Sequence, residues 1–252
     1  MKDEKGKFLM FDLKGKRALV TGSTQGIGYA IAKAFIEHGA EVYVHCARDV
    51  EKAKRISEEL GSGLFAVGDL SDADAVARIL EKTGDVDIVV ANASVQVRNE
   101  WHSITPEEYE LQMGVNFRST LALMQAYVPE MQMRGWGRFL AIGSVQERKP
   151  HVNMAVYAAS KCAIKSLVEN VASQVAKDGV TVNMIAPGVI ATPRNDGALA
   201  DKEYAARVLS NIPAGFVGAP EDISAAALLF CSDEGRYING AELYIDGGMA
   251  VK

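Results

Sequence analysis

Short apolar runs rich in β-branched residues alternate with segments of helical period along this chain, and this alternation limits its possible folds more than any other feature. The runs predict seven strands, at 16–22, 40–46, 63–69, 86–92, 137–144, 180–188 and 241–248. Helices are predicted between them, near 26–38, 50–60, 72–82, 106–133, 155–177 and 220–231, with a weaker one near 200–209. Strands that are apolar on both faces and separated by helices form a parallel sheet covered on both sides. The predicted fold is therefore doubly wound α/β, a seven-stranded parallel sheet with helices on both faces.

We expect one domain. A chain of 252 residues can bury one large core, and no linker, low-complexity tract or internal repeat interrupts the pattern. Residues 1–14 precede the first strand and are predicted to be an N-terminal extension, either a loosely held tail or an edge contact. The domain then spans 15–252.

Charge and residue spacing argue against several classes of function. The net charge is −5 and no basic block stands out, so nothing favours nucleic-acid binding. The three scattered cysteines fit small core residues in a reducing cytosol better than a disulfide framework. The histidines lack metal-ligand spacing, and a G-x-S-x-G nucleophile turn is missing. With neither a secretory signal nor a membrane-length apolar segment in view, we expect a cytoplasmic protein without membrane contact.

A glycine-rich turn, "TGSTQGIG" at 21–28, directly follows the first predicted strand and precedes the first helix. Gly22, Gly26 and Gly28 allow a sharp turn and a close approach of backbone to ligand, and a helix N-terminus offers free N–H groups to a pyrophosphate. A lone glycine cluster often marks only a turn. In this position, inside a βαβ unit, it indicates a dinucleotide site of the Rossmann type.

Tyr157 and Lys161 lie four residues apart in "AVYAASKCAIKSL", a segment of strong helix formers, so they are predicted to share one helix face. An ammonium beside a phenol stabilises the phenolate, and moving a tyrosine pKa from ~10 to ~7 takes roughly 4 kcal/mol. Such a tyrosine exchanges protons near neutral pH. Taken alone, the pair is better explained as an ordinary half-buried aromatic beside a solvated lysine, because this spacing occurs by accident in many helices.

From about residue 15 to the C-terminus the chain resembles the short-chain dehydrogenase/reductase family. The resemblance is carried by "TGSTQGIG", "GVNFRS", the serine of "IGS", "YAASK", "APGVIAT" and "YIDGGM" at their mutual separations. Within that family the chain is similar to 3-oxoacyl-carrier-protein reductases and to gluconate 5-dehydrogenase-like members. The implied activity is hydride transfer between a nicotinamide cofactor and a secondary alcohol or ketone.

The resemblance implies four catalytic residues. Tyr157 would be the general acid/base, and Lys161 would lower the Tyr157 pKa and hold the nicotinamide ribose. Ser144 would hydrogen-bond the reacting oxygen, and Asn116 would position a water that relays protons to Lys161. Ser144 could otherwise be a strand-end cap and Asn116 a solvated helix residue.

The cofactor contacts follow from the same resemblance. Asp69 and Leu70 would bind the adenine, Asn92 and Ala93 would line the ribose, and Asp69 could also cap the next helix. Where the family usually has N-N-A-G, this chain has "ANAS", so Ala91 removes an amide and Ser94 adds a Cβ. The complete predicted set is Gly22, Ser23, Gln25, Gly26, Ile27, Gly28, Arg48, Asp69, Leu70, Asn92, Ala93, Tyr157, Lys161, Pro187, Gly188, Ile190 and Thr192.

The end of the second strand, "VHCARD", favours NADP as the cofactor, with NAD as the alternative. An NAD site usually has a carboxylate here for the adenine ribose, whereas a 2′-phosphate calls for no carboxylate and an arginine. Cys46 stands where the acid would be, and Arg48 follows. Gln25 occupies a position that is basic in many NADP-preferring relatives, and Arg48 could also be a solvated loop charge.

The substrate is predicted to be a small molecule. Loops after the fourth, fifth and sixth strands supply polar residues to the pocket, unless these lie on the surface without a ligand. They are Gln96, Arg98, Gln146, Glu147, Arg148, Asn153, Arg194 and Asn195. The set suits a sugar acid or polyol; a 3-oxoacyl thioester on an acidic carrier protein is the alternative.

Residues 193–218 are predicted to form a lid over the substrate, or else an irregular surface excursion. The family resemblance also implies a homotetramer or homodimer that pairs the long helices at 106–133 and 155–177.

A non-catalytic NADP-binding sensor would be expected to lack Tyr157, Lys161 or Ser144. All three are present, so an enzyme is preferred.

Overall fold

The computed structural model describes residues 10–252. Most of the predicted extension at 1–14 therefore lies outside the described residues. Of the part described, Leu13 is fully buried, and its backbone N–H donates a hydrogen bond to the carbonyl of His38 (2.9 Å). This segment packs against the side of the domain that holds Phe35.

All seven predicted strands are present and form one sheet in the order β3-β2-β1-β4-β5-β6-β7. Every neighbouring pair is parallel, which confirms the predicted doubly wound fold. The strands are β1 (Arg17–Val20), β2 (Glu41–Cys46), β3 (Phe65–Val67), β4 (Ile88–Ala91), β5 (Gly137–Ile142), β6 (Val180–Pro187) and β7 (Glu242–Ile245).

The observed helices agree with those predicted from the sequence, except at two places. They are α1 (Gly26–Glu37), α2 (Val50–Glu59), α3 (Ala75–Thr83), α4 (Pro106–Gln112), α5 (Ser119–Arg134), α6 (Ala155–Val175), α7 (Pro193–Ala200), α8 (Lys202–Ser210) and α9 (Pro220–Cys231). The helix predicted at 106–133 is divided, because a π-helical segment, Met113–Arg118, separates α4 from α5. α7 was not predicted, since "PRNDGALA" is rich in residues that disfavour helix interiors.

Side chains alternate between two apolar layers, one on each face of the sheet. Leu19 and Val89 point to the layer formed with α3, α5 and α6, whereas Val20 and Ile88 point to the layer formed with α1 and α9. Full burial of each such side chain contributes roughly 1.5–3 kcal/mol. Because both faces are covered, ligands have access at the ends of the strands.

The three cysteines are free, but they do not share one environment. Cys231 is buried, Cys46 is half-buried and Cys162 is exposed. The prediction that all three are core residues is therefore wrong for Cys162, which is exposed. In the part of the chain from residue 10 onward, none of the helices has the length and apolarity that crossing a membrane requires.

The strand order reverses next to β1, where consecutive connections leave in opposite directions toward β2 and β4. In doubly wound sheets this reversal opens a crevice at the carboxyl ends of the strands, where ligands bind. The glycine-rich turn after β1 and the loop after β4 form the two sides of this crevice.

Candidate active site

A cavity of about 950 Å³ opens at the carboxyl ends of the strands. It brings together most of the residues predicted from the sequence. Those lining it are Gly22, Gln25, Gly26, Ile27, Arg48, Asp69, Leu70, Asn92, Ala93, Ser144, Tyr157, Lys161, Pro187, Gly188, Ile190 and Thr192. The other three predicted residues, Ser23, Gly28 and Asn116, lie behind this surface and support it.

The glycine turn has the backbone geometry of a phosphate cradle. Gly22 and Gly26 have φ angles of +63° and +59°, a region that side-chain-bearing residues rarely adopt. A Cβ on Gly28 would lie 2.5 Å from the Asn92 amide nitrogen and 2.6 Å from the Gly22 carbonyl oxygen. Gly28 therefore permits close packing of α1 against the turn. Because no side chain caps the N-terminus of α1, its first N–H groups are free to bind an anion.

His45 fixes the turn from behind and was not identified from the sequence. The Gly22 N–H donates to His45 Nδ1 (3.0 Å), so Nε2 carries the proton and donates to the Gly68 carbonyl (3.0 Å). The His45 N–H donates to the Ser23 hydroxyl (2.9 Å). Burial lowers the pKa of His45 to about 4, which keeps the ring neutral and able to accept from Gly22. Ser23 thus ties the turn to β2 instead of facing the cavity.

The loop after β4 is tied to the same turn. The Asn92 amide donates to the carbonyls of Thr21 (2.8 Å) and Gly22 (3.2 Å). At the unusual "ANAS" sequence, the Ser94 hydroxyl and carbonyl oxygens accept hydrogen bonds from the Arg194 guanidinium (3.0 and 2.6 Å). Ser94 therefore connects this loop to α7.

Tyr157 and Lys161 lie side by side on α6 and are both buried. The Lys161 ammonium is 5.6 Å from the centroid of the Tyr157 ring and donates a hydrogen bond to the Ile142 carbonyl at the end of β5 (2.7 Å). This contact fixes the ammonium between α6 and β5. The shared helix face expected from the spacing is present.

The pKa directions differ from the simple ammonium–phenol argument. Burial raises the pKa of Tyr157, against the lowering effects of the Arg194 charge and the Ser144 hydroxyl. Burial and the Arg194 charge together lower the pKa of Lys161 to about 7, although the Glu147 charge opposes them. The protein's own groups therefore do not produce the predicted net lowering for Tyr157. The sequence argument counted the neighbouring cation but not desolvation, which disfavours the charged form of both residues.

Ser144 follows β5 and faces the cavity beside Tyr157. Its hydroxyl oxygen accepts from the Gln146 N–H (3.2 Å), and its own N–H donates to the Glu147 carboxyl (2.7 Å). The strand-end cap considered from the sequence is therefore real. The cap uses the Ser144 hydroxyl oxygen only as an acceptor, so its proton can donate to the Tyr157 oxygen or to a reacting oxygen.

Asn116 lies in the π-helical segment and is fully buried, not solvated. Its amide accepts from the Val95 N–H (2.9 Å) and donates to the Val95 carbonyl and the Ser160 hydroxyl (both 3.0 Å). The side chain thus fixes the loop after β4 against α6. Its predicted part in a proton relay stays a prediction.

At the opposite end of the cavity, Arg48 forms an ion pair with Asp69, in which its Nε and Nη2 both contact Asp69 Oδ2 (2.6 and 2.5 Å). Although burial acts to raise the pKa of Asp69, hydrogen bonds from Ser71 and Arg48 lower it overall. The predicted capping role for Asp69 is wrong, since Asp74 occupies the N-cap of α3. Lys52 was not predicted, yet it lines the cavity and donates to Gln25 (3.0 Å).

The substrate end is polar and cationic. Of the predicted residues, Gln96, Arg98, Gln146, Arg194 and Asn195 line the cavity. Predictions for three others do not hold. Glu147 and Arg148 face a separate, smaller cavity, and Asn153 is not among the lining residues. The sequence did not identify five further lining residues, which come from the turn before α6 and from α7 and α8: His151, Met154, Leu199, Tyr204 and Arg207.

Comparisons with known proteins identify the family of this chain. A family model described as enoyl-(acyl carrier protein) reductase matches residues 22–250. The chain is 36% identical to 3β-hydroxysteroid dehydrogenase 1 of Eggerthella lenta, over 95% of each chain. It is also 36% identical to the 3-oxoacyl-[acyl-carrier-protein] reductase of Haemophilus influenzae, over 94% of this chain and 99% of that one.

Among solved structures, the chain superimposes on a gluconate 5-dehydrogenase from Burkholderia cenocepacia, in complex with NADP and tartrate, with a TM-score of 0.89. The two are 30% identical over 96% of this chain and 98% of that one. Fold, cavity, site residues and relatives lead to one assignment. The chain belongs to the short-chain dehydrogenase/reductase family, whose members are NAD(P)-dependent oxidoreductases acting on CH–OH groups.

Proposed function

We propose that this enzyme interconverts a secondary alcohol and a ketone on a small hydroxylated carboxylate, such as a sugar acid, with NADP(H) as coenzyme. The observation that carries the proposal is the joint position of Tyr157, Ser144 and two arginines, Arg98 and Arg194, around one cavity. The first two supply the proton and the hydrogen bond to the reacting oxygen. The arginines supply charge complementary to a carboxylate.

The proposed chemistry uses buried groups with fixed partners. When bound, a nicotinamide cofactor would provide or take up the hydride at the substrate carbon. Tyr157 donates its phenolic proton to the substrate oxygen during reduction and removes it during oxidation. The Ser144 hydroxyl donates a hydrogen bond to the same oxygen and stabilises the charge that develops there. Lys161 would hold the nicotinamide ribose, and its ammonium, while protonated, favours the tyrosinate.

The adenine end supports NADP. The cradle of Gly22 and Gly26 and the open N-terminus of α1 suit a pyrophosphate, so a dinucleotide fits the residues present. Arg48 and Lys52 both line the cavity beyond the end of β2 and offer two cations to a 2′-phosphate. The Burkholderia relative is described with bound NADP, which supports the same coenzyme here.

The cationic substrate end supports an acidic substrate. Arg194 lies close enough to lower the pKa of Tyr157 by its charge, so a carboxylate paired with Arg194 would be held near the reacting centre. Arg98 stacks on Tyr204 at 5.8 Å and adds a second cation. The tartrate named with the Burkholderia relative is a small hydroxylated dicarboxylate.

A 3-oxoacyl thioester on a carrier protein is the competing substrate. It is favoured by the Haemophilus relative and by the exposed arginines at the cavity mouth, Arg98, Arg194 and Arg207, which would attract an acidic partner. The two substrates would contact different parts of the protein. A carrier protein would bind to the outer surface around α8, whereas a sugar acid would bind only inside the cavity.

We further propose that α7 and α8 form the lid, held by the contact of Arg194 with Ser94. The assembly proposed from the sequence is a homotetramer or homodimer in the cytoplasm, through the helices at 106–133 (now α4 and α5) and 155–177 (α6). The exposed apolar side chains of Tyr109 on α4 and Met133 on α5 are consistent with that pairing.

The test is a substrate panel followed by nicotinamide absorbance with NADP(H) and NAD(H) in parallel. It contains sugar acids, the corresponding neutral polyols, simple ketones, 3-oxosteroids and 3-oxoacyl thioesters on a carrier protein. We expect the highest kcat/KM with a sugar acid and NADP(H), and a much lower value with its neutral polyol. A preference for carrier-bound thioesters or for steroids would replace the proposed substrate.

A further inference from the structure

A second, smaller cavity of about 270 Å³ lies behind the Ser144 turn and is surrounded by titratable groups. Two carboxyl groups meet there, Glu147 from the turn after β5 and Glu242 from β7. The remaining lining residues are Arg148, Cys162, Lys165 and Tyr244. None of these residues takes part in the mechanism proposed above.

Each carboxyl group has one oxygen with a partner and one without. Glu147 Oε1 accepts the Ser144 N–H (2.7 Å), and Glu242 Oε2 accepts from the Lys165 ammonium (2.5 Å). Glu147 Oε2 and Glu242 Oε1 are buried with no hydrogen-bond donor among the described residues. A single proton held between these two oxygens satisfies both, whereas two ionised carboxylates would leave buried, mutually repelling charges.

The surroundings indicate which carboxyl carries the proton. Lys165 pairs with Glu242 and helps to keep it ionised, and the pKa of Glu242 is lowered although burial opposes this. Burial and the bond to Glu242 raise the pKa of Glu147 to about 8, against the Ser144 N–H and the charge of Lys161. Arg148, Cys162 and Tyr244 also face the pair. The proton therefore resides on Glu147 at neutral pH.

The position of Glu147 is tightly constrained. A Cβ added at Gly143 would come within 2.4 Å of Glu147 Oε1, so the carboxyl packs directly against the main chain that leads into Ser144. Any movement of Glu147 would remove the acceptor of the Ser144 N–H. The Ser144 hydroxyl would then lose its fixed direction toward the cavity.

We propose that Glu147 and Glu242 share one proton and act together as positioning residues that hold the Ser144 turn in its reactive geometry. The consequence for activity depends on the proposed function of Ser144; the shared proton does not. Loss of the proton at alkaline pH makes the two carboxylates repel each other and releases the Ser144 N–H.

The first test compares Glu147→Gln, which keeps a neutral acceptor and donor, with Glu147→Ala, which keeps neither. The matched control is Glu234→Gln, which removes one exposed carboxylate far from the site. Glu147→Ala should reduce kcat by about 10²-fold, the size expected for a misplaced catalytic group, with little change in cofactor Kd. Glu147→Gln should restore most of the kcat. Because the Glu147 pKa is raised to about 8, we expect the kcat of the wild type to fall as the pH rises through 8, and this fall should be absent in Glu147→Gln.

The second test needs no substrate, so it separates failure of this inference from failure of the proposed function. A carboxyl whose pKa is raised in the folded state stabilises the fold below its unfolded pKa, and this contribution is lost as pH rises through the folded value. The Tm of the wild type, measured relative to Glu147→Gln, should therefore fall between pH 5 and pH 8. The Tm difference between the wild type and Glu234→Gln should lack that slope.

Glu242→Gln provides an independent check from the other side of the pair. Its amide can donate to an ionised Glu147, so the pH dependence of the Tm between 5 and 8 should weaken as it does in Glu147→Gln. Equal pH profiles for the wild type and Glu147→Gln in both tests would overturn the shared proton. Full activity in Glu147→Ala would overturn the positioning role.

Discussion

The two ends of the large cavity are built in different ways. At the nicotinamide end, Tyr157 and Lys161 are 5% and 2% exposed, and the Lys161 ammonium is fixed by its hydrogen bond to the main chain of β5. At the adenine end, the Arg48 side chain is 82% exposed and is held by an ion pair. Buried groups with unique partners tolerate little change, whereas exposed ion pairs are each worth about 1 kcal/mol or less. Substitutions should therefore impair the catalytic reaction readily at the buried end. At the exposed end they should alter the coenzyme preference without loss of activity.

The largest effect is expected from Tyr157→Phe at the buried end. Removing one hydroxyl eliminates the general acid/base, and we expect kcat to fall by about 10³-fold or more. Cofactor Kd, measured by fluorescence titration, should change little because the ring and Lys161 remain. Substantial turnover in this variant would contradict the proposed chemistry and the contrast between the two ends.

Ser144→Ala should give the next largest effect. It removes one hydrogen-bond donor to the reacting oxygen but leaves the Ser144 N–H and its bond to Glu147 in place, so kcat should fall by about 10²-fold. Steady-state kinetics at saturating coenzyme give the comparison. A change confined to the KM of the substrate would instead assign Ser144 to substrate binding.

Arg48→Ala tests the exposed end. Loss of one charge-assisted contact to a 2′-phosphate should weaken NADP(H) binding about tenfold and leave both NAD(H) binding and kcat with NADP(H) nearly unchanged. The matched control is Arg55→Ala, an exposed arginine of α2 that pairs with Glu59. Equal losses for NADP(H) and NAD(H) would show that Arg48 does not recognise the phosphate.

The smallest effect is expected from a change of ionic strength, which tests both ends of the cavity without mutation. Raising ionic strength from about 0.01 to about 1 M shortens the Debye length from about 30 to about 3 Å, which screens exposed charges far more than buried ones. NADP(H) affinity should fall several-fold, while kcat at saturating coenzyme should stay within about twofold. A large salt effect on kcat would mean that the buried end is more open to solvent than its burial indicates.

The sequence alone predicted all seven strands, because a strand preference is contained in the β-branched apolar residues of each run and in the turn residues that bound it. It did not predict the division between α4 and α5, since both are good helix formers and the π-helical segment holds Asn116, which bonds to a distant loop. α7 was missed because its Pro, Asn and Gly argue against helix locally. These misses depend on contacts that local pattern does not contain.

The candidate site divides in the same way. Glycines and the Tyr157–Lys161 spacing are readable from the chain, because local geometry sets their function. His45, Lys52 and Glu242 were missed, since each matters only through a neighbour distant in sequence. The direction of the Tyr157 pKa was also missed, because burial cannot be judged from the neighbouring residues.

Neither α7 nor α8 contains a buried residue, although both line the substrate end of the cavity. Substitutions there remove little apolar surface from the core, so they should cost little folding free energy. Natural selection can then alter which molecule is accepted without first endangering the fold. Proteins with this arrangement can therefore change substrate specificity during evolution. Relatives named for steroids, acyl carriers and gluconate at similar levels of identity agree with this expectation.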